Sequence, residues 1–191
     1  MPQSDNEIIE RMRSGAKHHY AQLVDRYKDR AFSLAVRMLR NPQDAEEAVQ
    51  DAFIRAYNAL NRFEGKARFG TWFYRILYNV CLTRLGKRRD VFQQQDYDDE
   101  RGYQGIESSS AALDVNAYET KNMVEFVKKS MEALPEKYQT ILSLFYFQDL
   151  SHEEIADITQ LPIGTIKTHL FRARALLQQL LNKELHAQEI V

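Results

Sequence analysis

Apolar residues in this chain return every three or four positions rather than every second one, the spacing of helices that bury one face. The first such stretch covers about Asp5 to Ser14. A longer one, from Ala16 to Leu39, puts Leu23, Val24, Tyr27, Ala31, Leu34, Ala35 and Met38 on one side. Asn41-Pro42 restarts the chain: Asn41 suits an N-cap, Pro42 the first helical position, and Asp44, Glu46 and Glu47 the positive end of the helix dipole. This third helix is predicted to reach Leu60. The loop "NRFEGKARFGTW" follows, and Thr71 is expected to cap a fourth helix to about Lys87, with Trp72, Ile76, Leu77, Val80 and Leu85 available for burial.

The period disappears from Arg88 to Thr120, where Gln, Asp, Ser and Gly replace it. A structureless stretch of this length is uncommon inside a compact domain, so a boundary is expected within it. The chain therefore divides into residues 1–90, a linker over 91–120, and residues 121–191. Beyond Lys121 the helical period returns in "NMVEFVKKSMEAL", in "EKYQTILSLFYF" after Pro135, and in a final pair of helices, with no internal repeat. The predicted fold is all-α: two small helical domains joined by a flexible acidic linker.

Composition agrees with that expectation. Glycine and proline are scarce, at 7 and 4 residues, and no run of alternating β-branched residues interrupts the helix formers. The only cysteine, Cys81, lies in the apolar stretch "RILYNVCLTRL", where it reads as a small buried hydrophobe; an internal disulfide is impossible. No apolar run approaches the roughly 20 residues of a bilayer span. A cytoplasmic protein without membrane contact of its own is the expectation.

The net charge of −1 argues against a chain that holds nucleic acid tightly on its own. Its distribution is uneven. Between Gln160 and Lys183 there are no acids, against Lys167, Arg172, Arg174 and Lys183, whereas Asp96 to Glu119 holds seven acids and only Arg101. The basic stretch belongs to the final helix pair, "LSHEEIADITQLPIGTIKTHLFRARALL". Ser151 and Glu154 form the S-x-x-E pattern of a capping box, and Leu161-Pro162-Ile163-Gly164 breaks the helix that follows. A second helix starts near Thr165. Its inner face carries Ile166, Leu170, Ala173 and Leu177, while Lys167, Thr168, His169, Phe171, Arg172 and Arg174 are expected partly or wholly outside. This is a helix-turn-helix in which the second helix can lie in a major groove, its basic residues on phosphates and its polar ones on base edges. A merely solvated basic face would carry the same pattern.

Enzymatic readings find little to stand on. "HEEIA" at His152 lacks the second histidine of a zinc protease helix, Ala156 standing in its place, and the pair His18-His19 faces no carboxylate cluster. No phosphate loop, nucleophile elbow or dinucleotide fingerprint occurs. No catalytic residue, metal site or cofactor is expected.

"LPEKYQTILSLFYFQDLSHEEIADITQLPIGTIKTHLFRARALL" resembles region 4 of the extracytoplasmic-function (ECF) sigma factors of the sigma-70 superfamily, and "DAEEAVQDAFIRAYNALNRFEGKARFGTWFYRILYNVCLTRL" is similar to their region 2. The resemblance covers nearly the whole chain, including the order of the domains and the acidic linker. It implies a non-enzymatic subunit that binds core RNA polymerase, at its clamp coiled coil and its flap, and directs it to promoter DNA. Residues 1–90 would be the region 2 domain and 121–191 the region 4 domain. Glu47, Gln50, Asp51, Ile54 and Arg55 would grip the clamp coiled coil; Glu47, Gln50, Asp51 and Ile54 do follow i, i+3, i+4, i+7 spacing. The segment from Phe63 to Arg84 would handle the minus-ten element, where opened strands need aromatic platforms and cations. With Phe69, Trp72 and Ile76 assigned to packing, Arg68, Tyr74, Arg75 and Asn79 are the expected contacts. Pro162, Gly164, Thr165, Lys167, Thr168, His169, Phe171 and Arg172 would meet the minus-thirty-five element. His169 stands where many members carry Arg, which would soften phosphate binding. Control by an anti-sigma factor is implied by the resemblance alone. The rival reading is a free-standing helix-turn-helix regulator with a dimerising or sensing amino-terminal half.

Overall fold

Helix starts follow local side-chain chemistry. In the computed structural model, which describes residues 3–86 and 127–188, Ser4 caps α1 (Asp5–Arg13) in a capping box with Glu7. A 3₁₀ turn (Lys17–His19) precedes α2 (Tyr20–Leu39), so the long helix expected from Ala16 becomes α-helical only at Tyr20. Arg40 stops α2 in the left-handed conformation at φ 54°, its N–H donating to the Val36 carbonyl at 2.8 Å. Asn41 then caps α3 (Pro42–Ala59), its Oδ1 accepting from the Gln43 and Asp44 N–H groups at 2.9 and 3.2 Å.

α4 (Phe69–Arg84) begins before the position expected from the sequence, with Arg68 rather than Thr71 at the N-cap and no side-chain cap. Thr71 is buried inside the first turn and donates its hydroxyl to Glu154 of the second domain. α2, α3 and α4 enclose an aromatic core in which the Phe73 ring stacks on Phe53 at 4.4 Å and on Phe69 at 6.1 Å between centroids. Gly70 lets α2 approach: a Cβ there would lie 3.1 Å from Tyr27 Cε1. Cys81 is buried in this core, and burial pushes its thiol pKa up to about 12.

In the second domain residues 127–132 are helical (α5), and Pro135 opens α6 (Glu136–Leu142). The chain then widens into a π turn, Ser143–Phe147, which turns Tyr146 and Phe147 outward. Asp149, at φ 54°, ends it. The predicted capping box forms at α7 (His152–Thr159): the Ser151 N–H donates to Glu154 Oε2 at 2.9 Å, and the Glu154 N–H to Ser151 Oγ at 3.2 Å. Gln160 stops α7 in the left-handed region, and α8 (Ile163–Gln188) follows. Ile155, Ile158, Ile166, Leu170 and Ala173 bury against Leu134, Tyr138, Ile141 and Leu142.

The described elements are all helical, and the two domains lie side by side, α4 against α7 and α2 against α6. Arg40 donates to the Leu134 carbonyl at 3.3 Å and Gln148 Nε2 to the Arg30 carbonyl at 3.2 Å, while the Arg37 guanidinium sits 4.2 Å over the Phe147 ring. The predicted linker, 91–120, lies outside the described residues. Among the described residues no helix is long and apolar enough to cross a membrane.

Candidate nucleic-acid interface

The start of α8 presents its residues to solvent as a turn-led helix should. Pro162, Gly164, Lys167, Thr168 and Phe171 are exposed, with Thr165 and Arg172 half-buried. Phe171 is 56% exposed. Thr168 donates its hydroxyl to the Gly164 carbonyl at 2.9 Å, leaving Lys167 and Arg172 as the cations of the outer row. The expected outward placement of His169 is not found. It is 1% exposed and packs edge-on to Tyr138, with ring centroids 5.7 Å apart. Ile166, His169, Leu170 and Ala173 follow i, i+3, i+4, i+7 spacing, so the inward position was legible from the period. Arg174 is exposed, as expected, and its guanidinium lies over the Phe145 and Tyr146 rings at 5.4 and 5.5 Å.

On α4 the division between core and contact residues is sharper. Phe69 is buried, and Trp72 and Ile76 are half-buried against the core, as expected of packing residues. Arg68 and Asn79 are exposed and Arg75 is half-buried. Tyr74, expected as a contact, has its ring buried at 2% exposure beside Tyr27 and Phe73. Its hydroxyl has no hydrogen-bond partner among the described residues and borders a cleft of about 580 Å³ between the domains, shared with Arg30, Lys66, Arg68 and Gln148. Burial pushes the Tyr74 phenol pKa upward, so the orphan group is a neutral O–H.

α3 buries Ala45, Ala48, Val49, Ala52, Phe53 and Ala56, which turns Glu47, Gln50, Ile54 and Arg55 outward with Asp51 half-buried. Ile54 is 61% exposed, an apolar residue between charges, and Tyr57 extends the strip one turn further. Glu47 accepts from Arg84 at 3.0 Å and Asp51 from Arg55 at 2.9 Å. Such a row, apolar at its centre and ion-paired at its rim, suits a partner helix better than water.

Sequence reasoning missed the junction between α4 and α7. Arg68 grips Glu154 with two nitrogens, Nε to Oε1 at 2.7 Å and Nη2 to Oε2, and the Thr71 hydroxyl donates to the same Oε1 at 2.6 Å. One turn further along α7 and two turns further along α4, Arg75 reaches Asp157 at 3.3 Å. Partial burial opposes ionisation of Glu154, but the hydrogen bonds from Arg68, Thr71 and the Ser151 N–H outweigh it and hold the carboxyl pKa at about 2. No sequence signal marks a pair of residues this far apart. Among the described residues no group of His, Cys, Asp and Glu is arranged to hold a metal ion.

The family model for Sigma-70 region 2 matches residues 23–91, and that for Sigma-70, region 4 matches residues 127–177. The chain is 33% identical over 177 residues to the ECF RNA polymerase sigma factor SigW of Bacillus subtilis, covering 90% of this chain and 93% of the relative. It is 34% identical over 180 residues to the RNA polymerase sigma-H factor of Pseudomonas aeruginosa, covering 90% and 91%. Among solved structures, CnrH in complex with the cytosolic domain of CnrY superposes with a TM-score of 0.66 at 20% identity, over 95% of this chain and 99% of that one. The sigma factor RpoE, bound to the anti-sigma factor NepR from Bartonella quintana, gives 0.62 at 23% identity, over 85% and 96%. At these identities the two structures establish a shared fold.

Proposed function

The chain belongs to the ECF sigma factors of the sigma-70 family, and from that membership we propose how its surfaces divide the work of promoter recognition. The exposed strip on α3, centred on Ile54 and rimmed by Glu47, Gln50, Asp51 and Arg55, docks on the clamp coiled coil of core RNA polymerase, and the second domain docks on the flap. The amino-terminal end of α8 enters the major groove of the minus-thirty-five element, with Lys167 and Arg172 on phosphates and Thr165, Thr168 and Phe171 toward base edges. Arg68, Arg75 and Asn79 track the opened minus-ten strand, and the orphan hydroxyl of Tyr74 offers a donor to a base entering the cleft beside it.

One observation supports this division most: two unrelated surfaces face solvent, the strip on α3 centred on Ile54 at 61% exposure and the row on α8 that carries Phe171 at 56%. The near-neutral net charge fits a subunit that reads DNA only when a larger machine holds both domains at the spacing of the promoter, so that two weak contacts combine through effective concentration. CnrH and RpoE were each solved with a bound partner. We extend that mode of control to this chain: an anti-sigma factor covers the same surfaces until it is removed.

Purified chain added to core polymerase should initiate transcription from a selected promoter, and a truncated template lacking either element should lose initiation. A free-standing regulator would instead bind a duplex palindrome as a dimer without polymerase, and that result would replace the present assignment.

A further inference from the structure

The cations offered above to the minus-ten strand are already occupied. Arg68 holds Glu154 through Nε and Nη2, one edge of its guanidinium, and Arg75 holds Asp157, so the first helix of the helix-turn-helix presents two carboxylates to the residues assigned to the minus-ten strand. The two acids lie three residues apart on one face of α7, and their partners lie seven residues apart along α4, Arg68 at its N-cap and Arg75 two turns in. Carboxylate and phosphate offer guanidinium the same bidentate acceptor geometry. Thr71 adds a hydrogen bond to the same carboxylate, and the Arg40–Leu134 and Gln148–Arg30 bonds hold the domains together along the α2 side.

We propose that the free chain is self-inhibited: α7 acts as an intramolecular phosphate mimic that closes the helix-turn-helix domain over Arg68 and Arg75, and the chain engages opened promoter DNA only after the domains part. The proposal rests on the assignment of Arg68 and Arg75 to the minus-ten strand. The pairs are suited to release. Arg75 and Asp157 are 42% and 49% exposed, and Arg68 is 64% exposed against 19% for Glu154, so water and salt reach the cation of each pair and screen it. A clasp of this strength yields to polymerase docking on both domains, yet it competes with single-stranded DNA for the same two cations.

The test combines a distance with a binding measurement on the full chain. Spin labels at Asn58→Cys on α3 and Gln179→Cys on α8, both exposed, report domain separation, and buried Cys81 stays out of reach of thiol reagents. Glu154→Gln with Asp157→Asn removes the clasp charges, and glutamine at this position keeps the capping box, so α7 remains folded. In wild type the labels should give one short, narrow distance; in the double variant a longer, broader one. The reciprocal swap Arg68→Glu with Glu154→Arg should restore the short distance. Affinity for a fluorescent single-stranded DNA of mixed sequence should rise in the double variant, by about tenfold if nine-tenths of the wild-type chain is closed. Equal distances in wild type and double variant would overturn the clasp. Separated domains with unchanged DNA affinity would overturn its inhibitory role. Polymerase-dependent initiation by wild type is scored separately: its absence would refute the promoter assignment while leaving the distance result standing.

Discussion

Arg68 Nε donates to Glu154 Oε1 at 2.7 Å across 86 residues of sequence, joining the start of α4 to the first turn of α7. The same carboxylate closes the capping box with the Ser151 N–H at 2.9 Å. Glu154 therefore does two jobs, one local and one tertiary.

Acid should expose the tertiary job. The carboxyl titrates at about 2 in the folded chain against an ordinary value of 4.5. A depressed folded pKa means that the contribution of Glu154 to closure is complete above 4.5 and is lost as pH falls through about 2. An NMR titration of the Glu154 side-chain carbon should give a midpoint near 2, and Arg68→Ala should move it upward. A midpoint unmoved by that substitution would show that the capping box alone depresses it.

The strip on α3 predicts a separation of binding from stability. Ile54→Ala should leave the unfolding transition within about 0.5 kcal/mol of wild type, since an exposed side chain loses little on truncation. Its affinity for core polymerase should fall by more than about fivefold, as expected at the centre of an interface. Competition binding against the unaltered chain measures this; equal affinities would remove α3 from the docking surface.

α8 offers an internal control. Lys167→Ala should weaken promoter binding by the holoenzyme and reduce the slope of log K against log salt by about 1, the signature of one lost phosphate contact. His169→Ala should instead lower the melting temperature and leave the salt slope unchanged, because its ring is buried against Tyr138. A changed salt slope for His169→Ala would mean that the histidine turns outward on DNA.

Truncating Phe73, which is fully buried and stacked on Phe53 and Phe69, should cost about 3–5 kcal/mol in urea unfolding. Asn41→Ala should cost about 1 kcal/mol, since it strips two backbone N–H groups of their acceptor at the head of α3. A loss at Asn41 as large as that at Phe73 would mean that α3 depends on its cap more than on its packing.

Helices, caps and inward-facing rows were determined by the sequence alone, because each is set by neighbours within one or two turns. Asn41, Ser151 and Glu154 announce their helix starts, and the period of α8 already includes His169 among its buried positions. Where the reading slipped, at Thr71 and His169, basic or polar character was weighted above the helical period. Tertiary structure alone decided what lies between the domains. Thr71 became a donor to a distant carboxylate rather than a cap, Tyr74 turned its ring inward beside Tyr27, and Arg68 and Arg75 found acids on α7. A charge advertises its sign in sequence but not its partner, since partner choice depends on how two packed domains align surfaces that the chain leaves far apart.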